Sequence, residues 1–561
     1  MLFSVKVLKT RAAIVLAMSA MLDVTGCGSS SSVSAEAVIK GEHSAAQIRD
    51  LAKYTTPVTL SIGRMNDTSL KFLSGQSWDN NDIYQAYNKE LGIQIKNAWV
   101  VSPDQYNTKI NLSITSGDIP DLLEVPNREM LKQLVDEGLV QDMTPYFKND
   151  LSQTAQKYFT IRNQMASATF NGKLMAIPFT DSPYNSMNFV WLRKDWLDKL
   201  HLSPPKTMSD VFNIAQSFAK DHPGSEQASY GLAATKDLNN PALGLQGFFN
   251  GFGAYPNIWV QKNGKLEYGS VQPQMKSALA ALQKMYKAGE IDPGFAVKGT
   301  DEEAQLISNN EVGMGFGVNW LASYPLIQSI RQGNKITQQW AVYGIPGKSQ
   351  VDTGVDGYYV ISKKYTHPGA VFEMLNKWVK VGQESPDSAD YQLFEDGNSS
   401  DQRDNYWKLN PVILYPPTLN LGVGKLVPEA IDQHNPSLLT DENQKNYYKQ
   451  CEEYAKGDTN LWNSWAKAGP DGSYYQMYEA WKSNQYVMNA FYGPPTKTMT
   501  QRWSTLQDTF DQGFLQIIMG QKPMTYFDTL VQQWKQLGGA DITSEVNTWY
   551  KTAKKENVVS F

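Results

Sequence analysis

The sequence predicts an α/β protein of two or more lobes, and three observations carry that expectation. The chain has 561 residues, whereas single hydrophobic cores stop growing at about 250–300. Its bulk is globular, with 41% apolar and 19% charged residues. From Pro57 onward, short β-type runs and amphipathic helical runs follow one another in turn, the pattern of a largely parallel sheet covered by helices.

The elements justify this in order. "PVTLSIG", from Pro57, alternates apolar and polar residues and ends in glycine, which reads as a strand. "DNNDIYQAYNKELG" (79–92) has an Asx start, apolar positions at Ile83, Tyr87 and Leu91, and a glycine stop, which predicts a helix. "IQIKNAWV" predicts a second strand, 104–117 a helix, "DLLEV" (121–125) a short buried strand and 128–138 a further helix. Ligands of such sheets sit beyond the carboxyl ends of strands, and Asp121 and Glu124 fall near one such end.

From about 182 the alternation continues with more helix. "KDWLDKL" (194–200) is amphipathic, 207–220 opens with Thr207 and Asp210 in capping-box spacing, and 272–289 is a long helix stopped by Gly289. Residues 301–320 pass from helix to strand to Trp320. After about 385, Trp462, Trp465, Tyr474, Tyr475, Tyr478 and Trp481 recur at helical spacing, as core aromatics do.

Several chemistries are excluded. A net charge of -5 argues against nucleic-acid binding, which needs a basic stripe. The five histidines are scattered, and no H-E-x-x-H, C-x-x-C or G-x-S-x-G occurs. "GIPGKS" (344–349) lacks the first glycine of a phosphate loop, where Val342 stands. Asp301, Glu302 and Glu303 fall at a helix start, where acids complement the helix dipole. No metal site and no cofactor is expected. Aromatics reach 12% and suit either a packed core or a surface that stacks on ligands.

The N-terminus reads as an address. Lys6, Lys9 and Arg11 precede the apolar run 12–22, which is too short to span a bilayer and fits a secretory signal. Val24-Thr25-Gly26 before Cys27 resembles the bacterial lipobox, which implies lipid attachment to Cys27 and cleavage before it. The alternative is an ordinary secreted protein cleaved elsewhere. "GSSSSVSAEA" (28–37) reads as a flexible tether. Cys451, the second cysteine, falls in an apparent helix as a lone thiol.

Several blocks together resemble the lipoprotein-type extracellular solute-binding proteins of carbohydrate ABC importers, the subgroup serving oligosaccharides in Gram-positive bacteria. They include "ITSGDIPDLLEV" (114–125), "NGKLMAIPF" (171–179), "WLRKDWLDKLHLSPPKTMSDVF" (191–212), "NEVGMGFGVNW" (310–320) and "IIMGQKPMTYFDTLVQQWKQLGG" (517–539). The resemblance implies two α/β lobes joined by hinge segments near 180, near 350 and around 410–420 or 491–496, with ligand in the cleft between them. The implied divisions are a signal at 1–26, a tether at 27–56, an N-terminal lobe at 57–180 to which 350–415 returns, and a C-terminal lobe at 181–349 with much of 416–561. The implied function is a lipid-anchored receptor on the outer face of the cell membrane. It would be a monomer and not an enzyme, passing an oligosaccharide to ABC permease subunits. Alternatives are a same-fold receptor for a peptide or signal molecule, or a surface polysaccharide-degrading enzyme.

A more distant resemblance to maltose-binding protein maps sugar contacts onto Asp121, Trp320 and Asp181. Further candidates are Arg64, Asn66 and Asp67 after the first strand, and Trp78, Asn185, Trp259, Tyr358 and Tyr415 in irregular or crossing segments. Close relatives carry a calcium loop before "YGL". Here "DHPGSEQASYGL" (221–232) is shorter and has Pro223, Ser225 and Ser229 at acidic or amide positions, which predicts loss of that site.

Overall fold

The computed structural model describes residues 51–67, 70–224, 229–333, 335–395 and 405–553. Cys27, the signal and most of the tether lie outside the described residues, as do positions 225–228 of the calcium-loop segment.

The chain opens with β1 (Val58–Met65), α1 (Asp82–Leu91), β2 (Ile93–Val101), α2 (Pro103–Ser116), β3 (Leu122–Val125), α3 (Arg128–Asp136) and β4 (Ile177–Thr180). It continues with β5 (Phe189–Arg193), α4 (Met208–Asp221), α5 (Pro273–Lys287), α6 (Thr300–Ser308), β6 (Met314–Gly317), β7 (Trp340–Gly344) and β8 (Ser349–Val351). Then come β9 (Val355–Ile361), α7 (Gly369–Val381), α8 (Leu419–Gln433), α9 (Ser473–Lys482), β10 (Tyr486–Met488) and α10 (Lys497–Ile518).

Local chemistry explains the helix ends. The Asn81 side chain accepts from the Tyr84 N–H at the start of α1, and Gly92 ends it at φ 67, a left-handed conformation that glycine adopts without strain. Thr207 and Asp210 form the expected capping box at the start of α4.

Two lobes result. The first is a five-stranded sheet of order β2-β1-β3-β9-β4. It is parallel across β2-β1-β3, whereas β9 runs antiparallel to both β3 and β4. The expectation of a largely parallel sheet therefore holds, since β2, β1, β3 and β4 all point the same way. It fails at β9 because that strand enters from the second lobe, against the direction of its neighbours. The second lobe holds an antiparallel sheet of order β6-β5-β7 under a larger helical mass.

The cores separate in the same way. One cluster draws on Val58–Ile177 and Tyr358–Leu414, including the buried Leu60, Ile83, Leu123, Ile177, Val360 and Trp378. Two clusters fill the second lobe, one around Val190, Leu279 and Phe514, the other around Trp191, Val423 and Met477. The chain passes between the sheets from β4 to β5, from β7 through β8 to β9, and again between Leu414 and Leu421, each in the cores just named. Cys451 is a buried free thiol whose proton is held up to about 12 by burial. No helix among the described residues is long and apolar enough to cross a membrane.

Candidate functional site

A cavity of about 220 Å³ opens at the carboxyl ends of β1 and β3, where open α/β sheets bind ligands. Gly63 shapes its floor. The Trp99 indole crosses so close that a Cβ on residue 63 would come within 2.4 Å of the ring. The β1–β2 register also shifts at this point, which re-aims the residues that follow.

Arg64 comes next and organises one wall. Its Nη1 donates to the Asn410 carbonyl at 3.0 Å and its Nη2 to the Lys408 carbonyl at 2.7 Å. Its guanidinium lies 5.4 Å from the centre of the Trp78 ring, and its Nε has no hydrogen-bond partner among the described residues. The Trp78 indole N–H donates to Asn66 Oδ1 at 3.0 Å, and the Lys408 ammonium pairs with Asp67 at 2.5 Å. Phe179, Tyr359 and Trp407 add aromatic surface to the lining.

A wider hollow of about 440 Å³ lies at the other end of β1, between residues 54–59 and His367. Its lining carries no carboxylate, lysine or arginine, and it faces the amino end of the strand. The smaller cavity is therefore the candidate.

Of Asp121, just before β3, and Glu124, near its carboxyl end, the cavity takes Glu124 and not Asp121. Asp121 Oδ2 accepts from the Ser61 backbone N–H at 2.9 Å and from Ser61 Oγ at 2.7 Å, while its own N–H donates to Ser61 Oγ. That staples β3 to β1 at the amino end of β3, roughly 10 Å along the strand from Glu124. The Glu124 carboxyl is pushed up to about 7, chiefly by burial, with the Arg64 guanidinium pulling it down and Asp356 adding to the rise.

Two further expectations are corrected. Tyr358 is buried in the first core. Strand alternation sends residues 357 and 359 the other way, with Gly357 against Glu124 and Tyr359 on the cavity. Trp259 is only 2% exposed, packed between Tyr268 at 5.4 Å and Phe491 at 6.2 Å, and so is a core residue of the second lobe.

The crossing segments extend the site. The Asp181 carboxylate accepts from Asn185 Nδ2 at 2.9 and 3.0 Å, and burial raises its pKa above the usual value against those bonds. Asn185 Oδ1 accepts from Asn420 Nδ2 at 2.6 Å, and its carbonyl accepts from Asn319 Nδ2 at 3.1 Å. The neighbour of Asn319 is Trp320, a large apolar side chain left 37% exposed. Tyr415 bonds through its backbone to Thr180 at both ends, at 2.9 and 3.1 Å, and its ring lies 6.4 Å from Phe179.

Arg64, Asp67 and Trp78 thus share the cavity, Asn66 touches it through Trp78, and Asp181, Asn185 and Trp320 follow the crossing. The residues at 407–413 were not foreseen, although the aromatic-basic run "YWKLNP" (406–411) ahead of a crossing was a usable signal.

Gln164 holds this junction together. Its Nε2 donates to the Asp181 carbonyl at 2.9 Å and to the Gly354 carbonyl at 2.7 Å, joining the two crossings. Gln164→Ala is expected to cost about 1–2 kcal/mol and to speed amide exchange at Asp181, whose N–H bonds Gly354. Urea unfolding and hydrogen exchange read the two effects.

Comparison with known proteins agrees with this architecture. The family model of the bacterial extracellular solute-binding proteins matches residues 73–381, more than half the chain. The lipoprotein LipO of Bacillus subtilis is 22% identical over 503 residues, covering 85% of this chain and 90% of that one. A polygalacturonan/rhamnogalacturonan-binding protein of the same organism, YtcQ, is 25% identical over 244 residues, covering 42% of this chain but only 45% of its own length. Among solved structures, the alginate-binding protein AlgQ2 superposes with a TM-score of 0.57 at 13% identity, covering 90% of this chain and 99% of its own. The fructooligosaccharide-transporter protein FusA of Streptococcus pneumoniae, solved with kestose, gives 0.57 at 14% identity over 89% and 100%.

Proposed function

Because the chain belongs to the bacterial extracellular solute-binding protein family, we propose that it is the substrate receptor of an ABC importer and captures an oligosaccharide between its lobes. The observation that carries this reading is the cavity at the carboxyl ends of β1 and β3. It combines aromatic faces at Trp78, Trp407 and Phe179 with polar groups at Arg64, Asp67 and Glu124. Sugars offer C–H faces that stack on rings and hydroxyls that bond to carboxylates and guanidinium groups. Trp320, exposed beside the crossing on the second lobe, closes over the ligand from the opposite side. The protein binds and delivers; it does not turn its ligand over.

Lipid attachment at Cys27 holds the receptor at the cell surface, next to its permease. The likeness to LipO, itself named a lipoprotein, supports this. Mass spectrometry of the secreted chain is expected to find Cys27 as the acylated first residue; an unacylated N-terminus elsewhere would remove the anchor.

The receptor reading is tested by thermal shift with neutral fructo-, galacto-, xylo- and manno-oligosaccharides, since a ligand that binds only the folded state raises its apparent stability. At least one is expected to raise the transition temperature and change tryptophan fluorescence. Trp320→Ala is expected to weaken that ligand 10-fold or more without lowering the stability of the free protein. An unaltered affinity in this variant removes Trp320 from the site.

A further inference from the structure

Four acidic residues lie on neighbouring strands and crossings beside the cavity, Glu124, Asp181, Asp352 and Asp356, and Glu124 is the one that lines it. Backbone geometry brings them together. Val355 opposes Thr180 and Gly357 opposes Phe179, so Asp356 is the extra residue of a β-bulge between β9 and β4. A bulge takes a side chain out of the ladder and re-aims it. Glu124 Oε1 lies 3.1 Å from where a Cβ on Gly357 would stand. The Asp181 N–H donates to the Gly354 carbonyl at 3.0 Å, and the Asp352 N–H donates to Ser186 Oγ at 2.9 Å.

Asp352 and Asp356 are exposed to solvent, yet enough protein surrounds them to raise both carboxyls. Asp356 is pushed up to about 6 by burial first, then by the charges of Asp181 and Asp352. Among the described residues, Arg64 is the one cation acting on these four groups, and it acts on Glu124 alone. Two buried polar atoms in the same segments have no partner among the described residues. They are Ser182 Oγ, on a residue 2% exposed, and Gln164 Oε1, on a residue fully buried.

We propose that this acidic wall makes the receptor selective for oligosaccharides without carboxylate or sulfate groups, so that polyuronates are rejected by charge. The inference rests on the oligosaccharide reading above and sharpens its substrate class. Each uronate residue brings one negative charge against Asp181, Asp352 and Asp356, on which no cation acts among the described residues. Repulsion in a partly desolvated cleft then weakens binding on the order of 100-fold. The selectivity therefore departs from that of the relative named for polygalacturonan binding, which matches this chain over less than half its length.

The test titrates the full secreted chain with α-1,4-tetragalacturonate, its methyl ester and the four neutral oligosaccharide series, at low and high salt. At low salt, tetragalacturonate is expected to bind at least about 100-fold more weakly than the best neutral ligand, and added salt is expected to narrow the gap. The double variant Asp352→Asn/Asp356→Asn, with its folding checked by circular dichroism, is expected to gain 10-fold or more for tetragalacturonate. Tetragalacturonate binding as tightly as any neutral chain overturns the selectivity and leaves the oligosaccharide receptor standing. Unchanged tetragalacturonate affinity in the variant overturns the role of the wall. Absence of binding by every sugar, charged or neutral, overturns the receptor reading and the selectivity with it.

Discussion

Arg64→Ala is expected to lower the unfolding free energy by roughly 3 kcal/mol and to weaken oligosaccharide binding 10-fold or more. The guanidinium bridges β1 to a segment some 345 residues away, through the carbonyls of Lys408 and Asn410. Charge-assisted bonds of this kind contribute about 1.5–3 kcal/mol each, and their loss leaves two carbonyls without their donor. The contact over Trp78 is lost as well. Without Arg64, Glu124 also loses the one cation that holds its carboxyl down, so it keeps its proton at still higher pH. Arg64→Lys is not expected to rescue, because a single ammonium cannot span both carbonyls while covering the indole. Urea unfolding gives the first effect and calorimetric titration with the ligand found above gives the second. A variant as stable as the wild type would show that the 407–411 segment is held by its own packing.

The largest pH effect is expected at Glu303. The sequence places this residue among acids at a helix start, and Glu302 does cap there, its carboxylate accepting from the Gly299 N–H at 2.8 Å. Glu303, however, turns inward and is fully buried. Burial first, and then the neighbouring Asp292 carboxylate, push its carboxyl up to about 8, with the Lys298 ammonium opposing. Lys298 is itself paired with Asp292 at 2.5 Å.

The ordinary value of 4.5 applies in the unfolded chain, so between 4.5 and about 8 the folded state holds a proton that the unfolded state has lost. Stability from this group is therefore complete below about 4.5 and is lost as pH rises through about 8. The full loss is roughly 5 kcal/mol. Glu303→Gln removes the titration. The variant is expected to match the wild type near pH 4 and to unfold at higher temperature or urea concentration at pH 9. Parallel profiles for the two proteins across this range would mean that Glu303 is ionised in the folded state.

Much of the fold is legible in the sequence because its signals are local. An asparagine side chain that reaches the third residue of α1, and a glycine that ends the helix in a left-handed turn, act within a dozen positions. Alternation in "VTLSIG" shows that one face of β1 is buried, and Leu60 and Ile62 are indeed in the core. The placement of Arg64 and Asp67 at the cavity follows from one rule, that parallel strands present their carboxyl ends to ligands. Trp259 and Tyr358 were not separable from true lining residues by the same reasoning. An aromatic side chain suits a core and a sugar face equally, and in a strand the choice turns on a single step of register.

The sequence by itself determined the α/β class, the helix caps and the strand that leads into the site. Each depends on residues close along the chain. Only the tertiary structure decided which side chains meet. It brought Lys408 and Asn410 under Arg64, chose Glu124 over Asp121, and turned Glu303 into the core. It also placed Asp356 on a bulge beside Asp181. The physical reason is that a side chain's environment is set by the segments packed against it. Here those segments are the strands and crossings that return from the second lobe, hundreds of residues from the strands they complete.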